Sequence, residues 1–344
     1  MGRISVVAGG MVTAVGFNYR SSCAAIRAGV RGVRQVNLWD AENAEYLSGA
    51  KVDLPQWWTG TGKLADLAAP AIWECLEAAR PEEPEAIPIL LGIADPDRPG
   101  RFERLDQEIL DEIEFRCGLP HHPLSKVFPQ GNVSAVIALS EARNILDSRS
   151  ARCCVVAGVD SFIQQELIDA YIGARRIMTA TNSNGFFPGE AGCAVLVRPS
   201  ADASAELRIL GIGFGQETAT VGSTNPLLGI GQVEASRNAL AEAGLKMHEV
   251  GFRNTDVNGE HYKFKEAILT QGRLLKERVE RQDIWHAAEC TGEIGAASAP
   301  CALAVQLYAS RRAFSPPPRS LCHFSGDGPE RAACVVEFAQ GWTM

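Results

Sequence analysis

The chain has 344 residues, 46% of them hydrophobic and 22% charged, with a formal net charge of -8. That length fits one large domain or two of ordinary size, with globular composition. The acidic balance argues against nucleic acid and anionic membrane, which need clustered Lys and Arg, and no stretch reaches the roughly 18 apolar residues of a membrane span.

The opening "MGRISVVAGGMVTAVGFNYR" is not a signal peptide, because only Arg3 precedes a short apolar run that glycines break. A cytoplasmic location is expected. Several of the ten cysteines sit inside apolar runs ("RCCVVAG", "AGCAVLV", "AACVVEF") and none forms a CxxC pair. They read as buried, reduced thiols. No Cys/His group has zinc-ligand spacing, so no metal site is expected.

In chain order, "ISVVAGGMV" reads as a strand ending in glycines and "SSCAAIRAGVRGV" as a helix. "AIPILLGIA" is a buried strand, and "FERLDQEILDEIEFRCG" an amphipathic helix closed by Gly118. "GNVSAVIALSEARNIL" is a helix led by Gly131 and Asn132, followed by the strands "ARCCVVAGVDSF" and "GCAVLVRPS". The Ser/Ala-rich "ADASAE" is a connector. The order then recurs. "LRILGIGFGQ" is a strand, "GQVEASRNALAEAGLK" a helix closed by Gly244, and "EVGFRNTDVNG" holds a short strand. "FKEAILTQGRLLKERVE" is a helix, "TGEIGAASAPCALAVQLYASRRA" a second glycine-led helix, and "ACVVEFAQG" a closing strand. Strands alternating with helices imply an α/β protein with a mostly parallel sheet covered on both faces. Two similar passes imply a duplicated fold, with halves at 1–203 and 204–344 and two apolar, glycine-led helices packed at the centre.

This layout resembles the thiolase fold, and in pattern the β-ketoacyl-acyl-carrier-protein synthases. "VVAGGMVTAVG" with "AAIRAGVRGVR" is similar to the opening strand, turn and helix end of those enzymes. "GFFPGEAGCAVLVR" is similar to their "GFVxGEGAGxLVL" segment, and "TGEIGAASAPCALA" to the "GNTSAASIPLAL" helix. The matches run from residue 4 to about 337. The resemblance implies duplicated βαβαβ halves in an α/β/α/β/α layering.

At the active-site positions the chain departs from that family. The family places a reactive cysteine at the start of a central helix, where the helix dipole and a base favour the thiolate. Aligning "NVSAVIAL" with "CSSGLVAL" puts Asn132 there. Aligning "VNGEHYKF" with "VxAHGTGT" puts Glu260 at the histidine that holds the substrate carbonyl, with Tyr262 and Phe264 at the pantetheine-binding threonines. A shift of one residue would make His261 that histidine. The third motif puts Glu293, after Gly292, where the family has His or Asn. Gly326 and Gly328, in "GDGPERAA", fall in the loop that completes the family's oxyanion hole. Asp327, Glu330 and Arg331 make that loop unusually charged. A carboxylate beside a developing oxyanion has the wrong charge, and losing even one preorganised donor costs about 2.7–4 kcal/mol of barrier.

Ser134, Cys153 and Cys154 read as structural, His121 and His122 as a surface loop, and Glu190 as bonded to backbone. Trp57–Trp58 reads either as an exposed patch or as a core plug. The resemblance therefore implies a degenerate relative that binds or scaffolds, with no cofactor. It implies a homodimer, with a protein partner or an acyl carrier protein as further candidates. One precedent is the chain-length-factor type, which pairs with an active synthase; another is a group of thiolase-like proteins accompanying secretion-system effectors. The alternative is an active acyl-thioester transferase or hydrolase using Glu260, Glu293 or His261, either as a carboxylate general base or in a small metal site with Asn132.

Overall fold

The computed structural model describes residues 2–80, 82–200, 206–312 and 316–339. Its main sheet takes β1 (Ile4–Thr13), β4 (Ile89–Gly92), β5 (Lys126–Phe128), β6 (Cys154–Ser161) and β7 (Glu190–Pro199) from the first part of the chain. From the second part it takes β8 (Glu206–Gln216), β9 (Phe252–Thr255), β10 (Asp283–Trp285), β11 (Arg319–Ser325) and β12 (Glu330–Ala339). A separate hairpin pairs β2 (Arg34–Asp40) with β3 (Glu45–Gly49). The helices are α1 (Tyr19–Arg27), α2 (Thr61–Ala78), α3 (Leu105–Cys117), α4 (Ser134–Asp147), α5 (Gln165–Gly173), α6 (Ile230–Ala243), α7 (His261–Leu274), α8 (Ala288–Thr291) and α9 (Ser298–Ser310).

The strand order β10-β9-β11-β12-β8-β1-β7-β6-β4-β5 contains one pattern twice. In each part the third strand lies at the edge, followed inward by the second, fourth, fifth and first. The directions repeat as well. β4 is parallel to β5 and β6, as β9 is to β10 and β11. β7 is antiparallel to β6 and β1, as β12 is to β11 and β8. Only Ile4–Val6 of β1, paired with Leu207–Ile209 of β8, joins the two fives.

The sheet is mixed rather than mostly parallel. Strand–helix–strand order suggested parallel crossovers throughout, but β11 and β12 form a tight hairpin. In addition α5 packs with the β2–β3 hairpin in a satellite cluster instead of crossing the main sheet. The long helix anticipated over "FKEAILTQGRLLKERVE" ends at Leu274. The "ADASAE" connector lies, apart from Glu206, outside the described residues.

The five layers follow from which apolar faces meet. α2 and α3 cover one face of the first five strands, burying Leu64, Leu67, Ile72, Ile109 and Ile113 against β4 and β6. α4 and α9 lie inside, between those strands and the second five, in one cluster that includes Val136, Leu139, Leu303, Leu307, Phe324 and Val336. α6 covers the outer face of β8 and β12, through Ala235, Ala239 and Leu240. α9 is nearly all apolar because it is enclosed on both sides, whereas α4 keeps a polar edge through Ser140, Glu141, Arg143, Asn144 and Asp147.

Each inner helix is entered through a 3₁₀ turn, Gly131–Val133 before α4 and Gly295–Ala297 before α9. Both leading glycines have left-handed backbone, φ 54° and 48°. At Gly295 a Cβ would come 2.0 Å from Asp160 Oδ2, so only glycine fits. α2 was not legible because Pro70 interrupts its helical pattern. Proline there removes one intrahelical hydrogen bond, and its ring crowds the carbonyl one turn back.

Candidate functional site

The two glycine turns bring Asn132 and the segment before α9 together at the centre. Asn132 Nδ2 donates to Asp256 Oδ2 at 3.0 Å and to Glu293 Oε1 at 3.1 Å. Glu293 Oε1 also accepts the Gly295 backbone N–H at 2.8 Å, and Oε2 accepts Asn258 Nδ2. Asp256 Oδ2 accepts Lys263 Nζ at 2.7 Å and the Ser325 N–H at 3.1 Å. Lys263 Nζ lies 3.7 Å from Glu293 Oε2. Asp256, Asn258, Glu260, Lys263 and Glu293 are all buried.

The network continues outward through Asn258 to Glu260 Oε2, at 3.2 Å. Arg176 clamps Glu260 with two bonds, Nε to Oε1 at 2.7 Å and Nη2 to Oε2 at 3.0 Å. The same guanidinium holds both oxygens of Asp327 at 2.7 and 2.8 Å, and Tyr171 donates to Asp327 Oδ2. Four carboxyl groups thus share two cations, Lys263 and Arg176.

Burial raises the Asp256 pKa above the ordinary carboxylate range; Lys263 opposes that and Glu293 adds to it. Burial alone would lower Lys263, but Asp256 and Glu293 outweigh it and hold the amine charged. Asp327 is pulled down to about 2, since Arg176 outweighs desolvation. That desolvation is partial, because 43% of the Asp327 side chain is exposed.

A cleft of about 490 Å³ leads from the surface to Asn132. Its lining includes Gly326, Asp327, Gly328, Asp160 and Tyr171. No cysteine lines it. The described cysteines are unpaired, and burial lifts the thiols of Cys153, just before β6, to about 11 and of Cys154 to about 12.

The remaining sequence candidates fall in different places. His261 is exposed, and its backbone N–H donates to Asn184 Oδ1. Tyr262 does not line the Asn132 cleft; it donates to the Ala219 carbonyl at 2.7 Å and accepts from Arg331. Phe264 lies edge-on to His286 in a different cavity. Ser134 is buried and donates to the Gly131 carbonyl. Glu190 takes the Val52 N–H, Ser161 and Lys63. His121 is exposed beside Glu114. Trp57 and Trp58 are exposed, which removes the core-plug reading.

Asp256, Lys263, Asn258 and Arg176 were not singled out in the sequence. Lys263, Glu266 and Thr270 share the buried face of α7 at i, i+3 and i+7, and that spacing was the available signal for Lys263. Among the described residues, Asp111, Glu114 and His121 form a cluster with metal-ligand proximity, on and beside α3. Asp111 and His121 are exposed.

This fold is that of the thiolase-like ketosynthases. The ishigamide ketosynthase/chain length factor superposes with a TM-score of 0.72 at 18% identity, over 98% of this chain and 100% of that one. A chain of the complex between the ketosynthase ApeO and its chain length factor ApeC, from Xenorhabdus doucetiae, gives 0.74 at 14% identity, over 98% of this chain and 98% of that one. The module 6 ketosynthase of the bacillaene synthase from Bacillus subtilis 168 gives 0.77 at 15% identity, over 98% of this chain and 72% of that one. No protein-family model and no curated protein matches the sequence. At these identities the likeness is one of fold, and the chemistry has to be argued from the residues present.

Proposed function

We propose that this chain is a ketosynthase-like binding protein without condensing chemistry, acting as an accessory or scaffold subunit. The observation that carries the reading is the double hydrogen bond from Asn132 Nδ2 to Asp256 and Glu293. A condensing site needs a nucleophile there and donors toward an oxyanion. This chain offers an amide, which is not nucleophilic at neutral pH, and two acceptors.

The transferase or hydrolase reading finds less support. Arg176 occupies both oxygens of Glu260. Glu293 takes donors from Asn132, Asn258 and Gly295. His261 is exposed on the surface. A free general base does not emerge from that set.

The remaining parts of the proposal are a division at 203/204, supported by the repeated strand topology, a cytoplasmic location and a two-fold homodimer. Among the described residues no helix is long and apolar enough to cross a membrane. The ApeO–ApeC complex makes an active ketosynthase the first heterologous partner to try. Size-exclusion light scattering at micromolar concentration tests the assembly, alone and mixed with a ketosynthase encoded nearby. A homodimer or a mixed dimer supports the reading, and an interface of about 2,000 Å² is expected of an obligate pair. A monomer that stays monomeric in the mixture contradicts it.

A further inference from the structure

A second cavity lies behind the site. It occupies about 390 Å³ between α1, β10 and α9. That is within the usual range for small-molecule sites, roughly 300–1,000 Å³. Its walls are mostly apolar: Ile26, Ile284, Trp285, Ala302 and Val305. The charged residues on its lining, Arg27 and Glu289, are exposed, so its interior carries no charge.

His286 is the polar group that distinguishes this cavity. Its ring lines both the large cavity and a neighbouring one of about 210 Å³. Nδ1 is buried without a hydrogen-bond partner, and Nε2 lies 3.8 Å from Glu289 Oε1. Burial lowers the His286 pKa, which keeps the imidazole neutral. A buried unpaired nitrogen costs about 1–3 kcal/mol, and a half-turn of the ring about Cβ–Cγ exchanges its two edges. Because Nδ1 has no accessible surface as the ring stands, a donor in the cavity satisfies it only after that half-turn brings the nitrogen to the open edge.

The cavity is separate from the Asn132 cleft. Ala287 and Ala302 also line a void of about 20 Å³ that touches Asp256 and Glu293, with room for about one water. A ligand here therefore neither needs nor excludes chemistry at Asn132.

We infer that the cavity beside His286 binds an uncharged small molecule with a compact apolar body and one hydroxyl, the hydroxyl donating to His286. The inference is independent of the proposed function.

The test uses 2-naphthol and its methyl ether as probes on the full chain, followed by ligand-observed NMR titration. Saturable binding of 2-naphthol to the wild type is expected. His286→Phe keeps the ring and removes the acceptor, so it should weaken 2-naphthol about fivefold and leave the ether unchanged. Val305→Trp fills the cavity and should abolish both. Absence of saturable wild-type binding, an equal effect of His286→Phe on both probes, or binding that survives Val305→Trp in a folded variant overturns the inference. If Val305→Trp does not fold, the His286→Phe comparison decides alone.

Discussion

Lys263 Nζ lies 2.7 Å from Asp256 Oδ2, and both side chains are almost entirely buried. A buried pair of this kind adds little net stability, yet removing one partner leaves an uncompensated charge in the interior. Here the penalty is compounded, because Glu293 relies on the same amine at 3.7 Å.

Lys263→Met should therefore destabilise the fold by about 3–5 kcal/mol, read as a shift in the urea midpoint at pH 7. The double variant Lys263→Met with Asp256→Asn should recover part of that loss. A Lys263→Met midpoint within error of wild type would show that the charge is compensated elsewhere.

His323 supplies a pH prediction. It is 2% exposed, and burial, with repulsion from Arg253, pushes its pKa down to about 3. In the unfolded chain it titrates near the ordinary value of 6.5. The unfolded state thus binds a proton that the folded state refuses. Stability is fully present above pH 6.5 and falls below it, by about 1.4 kcal/mol per pH unit, until about pH 3. Chemical denaturation at pH 7, 6 and 5 should show His323→Leu with a flatter pH dependence than wild type. Parallel curves would remove His323 as the cause.

Asn132→Cys probes the local field. A cysteine there would stand beside Asp256 and Glu293, which lie within 3.1 Å of the present amide. Those carboxyl groups raise a neighbouring thiol's pKa and outweigh the help expected from the start of α4. Labelling by iodoacetamide at pH 7.5 should run at least about tenfold slower than for an exposed cysteine. Adding Asp256→Asn and Glu293→Gln should accelerate it. Fast labelling of the single variant would mean that the site is less acidic than its geometry implies.

The sequence showed the fold more clearly than the site, for a physical reason. Strands such as "ISVVAGGMV" and "ARCCVVAGVDSF" announce themselves by apolar runs, and Gly131 and Gly295 by the turns they permit. Those signals are local. The site depends on which residue after β9 points inward, and the turn from Asp256 to Glu260, with Gly259 at φ 116°, hides that. From this segment the sequence points to Glu260, alongside Asn132 and Glu293; the structure sets Asp256 beside Asn132 and Glu260 one step outward, through Asn258. Arg176, which holds Glu260, and Asp327, which shares that guanidinium, are both remote from Glu260 in the chain.

Exposure of the wild-type protein to acyl and malonyl thioesters tests the central claim most directly. Intact mass, thiol release and β-ketoacyl product are followed together. The account predicts no mass adduct, no thiol release above the protein-free control and no condensation product. A covalent acyl adduct, or a carbon–carbon bond formed by the wild-type chain, would contradict it.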